Sequence, residues 1–225
     1  MKISVIIPAL DEAERLPETL EHLAHCKDVQ IVLVDGGSRD GTPEIARRFT
    51  PLVFESIAGR GIQMNVGAQH ASGEILLFLH VDSRIPAAGL DALRREMQAP
   101  GVVGGAFRLR IEPPGRRVNL ISAGANLRSR WLRLPFGDQG IFLRASLFHD
   151  LGGFPEIPLM EDVAFVLRLR RTGKLVILPV AITTSSRRWD QEGVCLGTLR
   201  NWTLLLLYLA GVSPRHLTRW YRPIR

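Results

Sequence analysis

The sequence predicts an α/β fold in which a mostly parallel, twisted sheet carries helices on both faces. The main observation is that short apolar runs alternate with amphipathic helical spacing through the first hundred residues. A second is composition: 46% of the 225 residues are hydrophobic and 23% are charged, as in a globular domain that needs no disulfide or structural metal. A third is that the chain contains no internal repeat and no low-complexity linker.

Four apolar runs in the first half predict the parallel strands: Ile3–Ile7, Val29–Val34, Leu52–Phe54 and Ile75–Leu79. Helical spacing lies between them, over Asp11–Ala24, from Thr42 onward and over Gly61–Ala71. Thr42 is the expected N-cap, with Pro43 at the first helical position. Ligands of such sheets bind beyond the carboxyl ends of the strands, so the polar residues there are the first candidates for a site.

The second half has a different pattern. Strands are predicted over Val102–Ile111, with a close backbone approach at Gly104-Gly105, and over Ile141–Leu143. Helices are predicted over Arg117–Arg133 and Met160–Arg171. Near the end, Trp202–Val212 predicts a hydrophobic helix, too short for a membrane span of about 20 residues.

Charge and cysteine content restrict the classes of partner and compartment. The two cysteines, Cys26 and Cys195, are too few for a disulfide framework. The early Pro8 indicates that the first apolar run is a buried strand rather than a secretory signal. A cytoplasmic location is therefore expected. The net charge of +7 comes almost entirely from arginine. Either genome composition or an anionic partner (a nucleotide diphosphate, nucleic acid or an acidic membrane) accounts for it. No nucleic-acid partner is expected, because the arginines are scattered and no nucleic-acid-binding module is present.

Carboxylates follow two of the predicted strands. Asp35 either accepts hydrogen bonds from a base or ribose or caps the glycine turn that it begins. Asp82 suits a divalent cation that keeps diphosphate oxygens as further ligands. His80 either faces the same side and binds Mn²⁺ better than Mg²⁺, or is a packed, hydrogen-bonded histidine.

Two further groups are candidates. Glu161-Asp162 begins a predicted helix, and Asp162 is either a dipole partner or a general base. Gly59-Arg60-Gly61 precedes another helix, where Arg60 and the backbone suit a phosphate. The chain has neither a Walker loop nor GxGxxG, so neither a P-loop NTPase nor a dinucleotide dehydrogenase is supported.

Taken together, these segments resemble the family 2 glycosyltransferases, which have the GT-A fold. The resemblance rests on four stretches in the family's order: IIPALDEAERL, VLVDGGSRDGT, GRGIQMNVGAQHASGEILLFLHVDS and GDQGIFLRASLFHDLGGFPEIPLMEDVAFVLRLRRTG. It covers roughly residues 1–190, as a nucleotide-binding half (1–100) and an acceptor-side half (101–190), leaving 191–225 as a hydrophobic and basic helical appendage. Its details are most similar to a small bacterial subgroup that includes arsenosugar-biosynthesis and carotenoid-type glycosyltransferases.

The resemblance implies a role for each matching position. The residues that would bind the nucleotide are Pro8, Ala9, Glu12, Asp35, Gly36, Arg60 and Asp82. Asp82, with His80 beside it, would bind Mn²⁺ or Mg²⁺; Asp162 would be the general base with Glu161 as its neighbour. The acceptor side would include Asp138, Gln139, Arg188 and Trp189.

Three positions depart from the family pattern. His80 occupies the first position of the DxD motif, which leaves the identity of the metal open. Asp11 stands where many relatives have asparagine. Arg188-Trp189 resembles the end of a motif of processive members, but Ser185 occupies the position of that motif's glutamine.

The implied reaction is transfer of a sugar from a nucleotide-sugar, with UDP the expected nucleotide, to a hydroxyl of a lipid or small molecule, with inversion. The alternatives are a nucleotidyltransferase, although PALDEAE lacks its glycine-rich loop, and a peripheral membrane-binding protein. The latter rests on Trp202–Val212 and the arginines around it, which are typical of an interfacial helix. An acidic membrane on the cytoplasmic face is therefore a further candidate partner.

Overall fold

The computed structural model describes residues 1–187 and 193–221 as one eight-stranded sheet with helices on both faces. The strands are β1 (Ile3–Ala9), β2 (Val29–Asp35), β3 (Val53–Glu55), β4 (Ile75–Phe78), β5 (Ser83–Arg84), β6 (Val102–Glu112), β7 (Ile141–Arg144) and β8 (Lys174–Ser185). The helices are α1 (Leu16–Ala24), α2 (Thr42–Ala46), α3 (Arg60–Gln69), α4 (Ala87–Glu96), α5 (Arg116–Leu132), α6 (Ala145–Asp150), α7 (Glu161–Leu169), α8 (Val194–Leu209) and α9 (Pro214–Leu217). Short 3₁₀ helices cover Gly137–Gln139 and Thr218–Trp220.

The sheet is mixed, which corrects the prediction of a mostly parallel sheet. Its order is β3-β2-β1-β4-β7-β6-β8-β5. The first four of these strands run parallel, β7 is antiparallel to both β4 and β6, and β8 is parallel to β6. Apolar runs reveal that a strand is buried on both faces, but they carry no information on its direction, and the prediction therefore missed the reversal at β7.

Glycine permits the close contact between β6 and its neighbours, as the sequence predicted. A Cβ atom on Gly104 would lie 2.5 Å from the Phe142 carbonyl oxygen, and one on Gly105 would lie 2.2 Å from the Val176 carbonyl oxygen. No real side chain tolerates such distances. These two glycines therefore allow β6 to join the first half of the sheet to β8.

Two apolar layers enclose the sheet, and β1 shows how alternation supplies both. Val5 and Ile7 pack in one layer with Leu20 of α1, whereas Ile6 packs in the other with Phe165 of α7. Successive side chains of a strand point to opposite faces, so every apolar residue of this buried strand packs in one of the two layers. Full burial of each such side chain contributes about 1.5–3 kcal/mol.

Three helix starts differ from the prediction. The first helix begins at Leu16 rather than Asp11, which has a left-handed φ of 55°. Thr42 lies inside its helix and Gly41 is the N-cap, because the Thr42 hydroxyl accepts a hydrogen bond from the Glu12 amide and donates one to Asp40. The last long helix begins at Val194, eight residues before the predicted start, since leucine and threonine continue the helical pattern upstream.

The segment after residue 193 packs onto the second layer. Leu204, Leu205 and Leu217 are almost fully buried there. In the part of the chain that the structure describes, no helix combines the length and the apolar character that crossing a bilayer requires.

Candidate active site

A cleft of about 390 Å³ opens beyond the carboxyl ends of β1 and β4. The two strands are parallel neighbours, so the loops that follow them meet at one edge of the sheet. The lining side chains come from distant parts of the chain and include Pro8, Ala9, Glu12, Arg60, Gln63, His80, Asp82, Phe136, Asp138, Glu161, Asp162, Arg187, Asn201 and Tyr221. Nine of the residues proposed from the sequence are therefore brought to one place.

Asp162 is fixed at the start of α7 by two backbone hydrogen bonds. The Gly137 amide donates to Asp162 Oδ2 at 2.7 Å, and the Val163 amide donates to Oδ1 at 2.7 Å. A Cβ atom on Gly137 would lie 3.3 Å from Asp162 Oδ2 and 3.1 Å from His80 Nε2. Asp162 and His80 thus border the same small space above Gly137.

Glu161 points the other way and pairs with Arg60. Arg60 Nε lies 3.4 Å from Glu161 Oε1, and only 5% of the Glu161 side chain is exposed. Burial raises the pKa of Glu161, and the charge of Arg60 opposes that effect only in part. The charge of Glu161 in turn raises the pKa of Arg60, which also hydrogen-bonds to Tyr221. Arg60 therefore stays a cation, and 39% of its side chain remains exposed for an anion to contact.

Asp82 and Glu12 also line the cleft and supply negative charge there. Burial is the main cause of the raised pKa of Glu12, and the nearby charge of Asp82 adds to it, while Arg15 and Arg187 counteract it. Arg15 Nη1 lies 3.2 Å from Glu12 Oε2. Glu12 is thus partly neutralised by arginines, and Asp82 is the carboxylate better placed to meet a cation.

The residues fit a divalent cation that shares its ligands with a diphosphate. Within residues 1–187 and 193–221 no three His, Cys, Asp or Glu side chains form a metal-binding group. A Mg²⁺ ion at a nucleotide site usually takes one or two carboxylates and completes its shell with phosphate and water oxygens. Asp82, facing the cleft, meets that minimal requirement, and His80 lines the same cleft.

Asp35 and Gly36 lie at the same sheet edge but outside the cleft lining. One Asp35 oxygen accepts hydrogen bonds from the amides of Gly37 and Ser38, both at 2.9 Å, and the other accepts from the Ser38 hydroxyl. Asp35 therefore caps the glycine turn, which is one of the two alternatives that the sequence offered. A direct contact of Asp35 with a nucleotide stays a prediction.

Gln139 is completely buried beneath the cleft rather than exposed in it. Its Oε1 accepts hydrogen bonds from Arg128, from Ser129 and from the Phe136 amide, and its Nε2 donates to the Phe107 carbonyl. All its polar atoms are engaged within the protein, which corrects its predicted place on the acceptor side. Gln139 supports the loop that carries Asp138, and Asp138 itself does line the cleft.

Replacing Gln139 with leucine is expected to lower the free energy of unfolding by about 3 kcal/mol or more, since several buried groups lose their partner at about 1–3 kcal/mol each. The urea midpoint measures this. Gln98→Leu is the matched control, because Gln98 is exposed and a surface change of this kind stays within about 0.5 kcal/mol. Equal midpoints for the two variants would contradict the supporting role of Gln139.

Comparisons with known proteins show the family of this chain. The family model described as glycosyl transferase family 2 matches residues 4–154, two thirds of the chain. The chain belongs to glycosyl transferase family 2. It is 34% identical over 161 residues to the PGL/p-HBAD biosynthesis glycosyltransferase of Mycobacterium tuberculosis, covering 67% of this chain and 62% of that protein. It is 28% identical over 169 residues to glycosyltransferase AglE of Haloferax volcanii, covering 68% and 56%. This family 2 chain thus matches only about three fifths of the length of these curated relatives.

Solved structures place this family 2 member among GT-A-like folds. S. aureus TarS 1-349 superposes with a TM-score of 0.64 at 21% identity, over 96% of this chain and 68% of that one. Glucosyl-3-phosphoglycerate synthase from Mycobacterium tuberculosis, in complex with Mn²⁺ and UDP-glucose, gives a TM-score of 0.60 at 17% identity, over 80% and 69%.

Sequence reasoning missed three residues in or beside the cleft of this family 2 member. Gln63 Nε2 donates to the carbonyls of Ala9 and Val34, at 2.8 and 2.9 Å, and so ties the ends of β1 and β2 together. Arg128 is buried, and its guanidinium lies 3.4 Å from the centroid of the Phe136 ring. Burial lowers the pKa of Arg128, and the charges of Asp138 and Asp162 counteract that effect in part. Tyr221 reaches the cleft from the far end of the chain. Only Gln63 had a local signal, because it lies one turn after Gly59-Arg60-Gly61; the other two depend on tertiary packing.

Arg188 and Trp189, predicted on the acceptor side, fall outside the described residues.

Proposed function

We propose that this cleft transfers a sugar from a UDP-sugar to an acceptor hydroxyl with inversion at the anomeric carbon. The observation that carries the proposal is that Asp82, Arg60 and Asp162 line one cleft beyond the carboxyl ends of β1 and β4. The structural relatives support the choice of donor, since one was crystallised with UDP-GlcNAc and another with UDP-glucose. The protein is then a hexosyltransferase that uses Mn²⁺ or Mg²⁺.

The donor diphosphate would lie between Arg60 and Asp82. Arg60 keeps its positive charge and part of its surface free, so its guanidinium stabilises the negative charge that develops on the terminal phosphate. Asp82 and His80 would hold the cation, which when bound supplies Lewis-acid stabilisation to the departing diphosphate. Pro8, Ala9 and Glu12 would form the wall beside the nucleoside.

Asp162 would act as the general base. The amides of Gly137 and Val163 hold its carboxylate in one orientation, so the proton of an acceptor hydroxyl meets a fixed oxygen. The hydroxyl attacks as this proton leaves, from the face of the sugar opposite the diphosphate, and inversion follows. Asp138 would contact the acceptor, and the buried Gln139 positions Asp138 rather than touching the substrate.

A thermal-shift screen of nucleotide-sugars, with and without Mn²⁺, tests the proposed donor. A ligand at 100 times its Kd stabilises the folded state by about 2.7 kcal/mol. In a chain of this size that raises the Tm by roughly 5–10 °C. UDP-sugars with Mn²⁺ are expected to give the largest shift, with ADP- and CDP-sugars as controls. The proposal fails if no nucleotide-sugar changes the Tm in either condition.

A further inference from the structure

An apolar stripe runs along α5 on the side away from the core. Leu120, Leu127 and Trp131 follow one another at seven and four residues, a spacing that places them on one face of a helix. They are 76%, 60% and 76% exposed. The opposite side of α5 packs inward through Val118 and Ile121.

A second stripe runs along α8, which contacts α5. Leu199, Trp202, Leu206 and Leu209 are spaced at three, four and three residues, which again is one helix face, and they are between 38% and 66% exposed. The other side of α8 buries Leu204 and Leu205. The seven exposed side chains of the two stripes are called here the α5/α8 face.

The charge around this face is of one sign. The sequence between Glu112 and Asp138 contains five arginines and no acidic residue, and the sequence from Gly193 to the end contains five more arginines and again no acidic residue. These two segments contain ten arginines, although the whole chain has a net charge of only +7. Arg128 is buried against the Phe136 ring and is not part of this face, and Arg222 and Arg225 fall outside the described residues. Arg116 and Arg130 on α5 and Arg133 directly after it are exposed, and none of them forms an ion pair with a described residue.

We propose that the α5/α8 face docks this chain on an anionic bilayer surface, with both helices lying in the plane of the lipid headgroups. Leucine and tryptophan on one face with arginines beside it is the composition that inserts at such an interface. Charge complementarity selects anionic lipid as the occupant, because the exposed Arg116, Arg130 and Arg133 form no ion pair with a described residue and an anionic surface attracts each of them. This inference goes beyond the proposed reaction and does not depend on it.

The docked orientation would bring the cleft close to the lipid. Asn201 and Leu204, which line the cleft, lie on the opposite side of α8 from Trp202 and Leu206. The cleft and the bilayer would then be separated by about one helix diameter, roughly 10–12 Å. A hydroxyl carried by a lipid is the class of acceptor that this arrangement favours.

Co-sedimentation of the full chain with vesicles tests the proposal. The lipids are phosphatidylcholine alone or phosphatidylcholine mixed with phosphatidylglycerol, and tubes without vesicles detect aggregation. The parent is expected to pellet with the anionic vesicles and to stay in the supernatant with phosphatidylcholine, and high salt should weaken the binding. The variants Leu120→Gln/Leu127→Gln/Trp131→Gln and Leu199→Gln/Leu206→Gln/Leu209→Gln should each lower the partition coefficient by about tenfold or more. Ile57→Gln is the control, since Ile57 is 73% exposed but lies on neither helix.

A set of charge variants keeps the test independent of any folding defect. Arg130→Gln/Arg133→Gln should weaken binding to anionic vesicles, whereas Arg48→Gln/Arg95→Gln, also at exposed positions, should weaken it much less. The proposal is overturned if the parent does not bind anionic vesicles. It is overturned too if the helix variants pellet with anionic vesicles to the same extent as Ile57→Gln. It is also overturned if the parent is a dimer in sedimentation without lipid and the helix variants are monomers, since a second copy would then cover the face. UDP binding in solution is measured separately, so loss of docking and failure of the proposed reaction are distinguishable.

Discussion

Asp162→Asn is expected to lower turnover by about 10²–10⁴-fold, the usual contribution of a positioned general base. The amide is close to the carboxylate in size but cannot accept the proton of the attacking hydroxyl. Donor binding should change little, because the diphosphate is proposed to contact Arg60 and the cation at Asp82 rather than Asp162 itself. Steady-state kinetics with a UDP-sugar and calorimetric titration with UDP measure the two effects separately.

Asp150→Asn is the matched control for this variant. Asp150 ends α6 on the exposed surface and does not line the cleft. The turnover of the Asp150→Asn variant should equal that of the parent. If Asp162→Asn also turned over at the parental rate while remaining folded, Asp162 would not be the base.

Asp82→Asn is expected to remove the effect of Mn²⁺ on UDP binding. In the parent, Mn²⁺ should tighten binding of UDP; in the variant, the affinity with Mn²⁺ should fall by about 10–100-fold toward the value without it. That range corresponds to the loss of a charge-assisted contact of about 1.5–3 kcal/mol. Calorimetric titration with UDP, with Mn²⁺ and with a chelator, measures the change.

Asp28→Asn serves as the control for the Asp82 substitution. Asp28 is exposed, and asparagine tolerates its left-handed φ of 54°. In the Asp28→Asn variant, Mn²⁺ should tighten the binding of UDP as it does in the parent. A response of Asp82→Asn equal to that of Asp28→Asn would exclude Asp82 as the carboxylate that meets the cation.

The sequence predicts the cleft well where local patterns determine it. Ile75–Phe78 is an apolar run next to β1, so parallel pairing brings Asp82 to the edge where Pro8 and Ala9 lie. The helix that begins at Glu161 adds Asp162 to the same edge. These positions follow from strand ends and helix starts, which short-range patterns indicate.

The parts that were missed depend on contacts between distant residues. Gln139 looked like an exposed polar residue before a strand, but Arg128 and Phe107, 11 and 32 positions away, surround it and bury it. Asp35 is not among the missed parts: the turn cap is one of the two alternatives that the sequence offered, and a contact with nucleotide stays a prediction. The reversal of β7 and the approach of Tyr221 to Arg60 likewise have no local signature.

A crystal structure of the chain with UDP and Mn²⁺ tests the central claim most directly. The account predicts the diphosphate in the cleft between Arg60 and Asp82, with density for the ion against the Asp82 carboxylate and the nucleoside beside Pro8 and Glu12. Nucleotide bound away from these residues, or a cleft without nucleotide at saturating UDP and Mn²⁺, would contradict it.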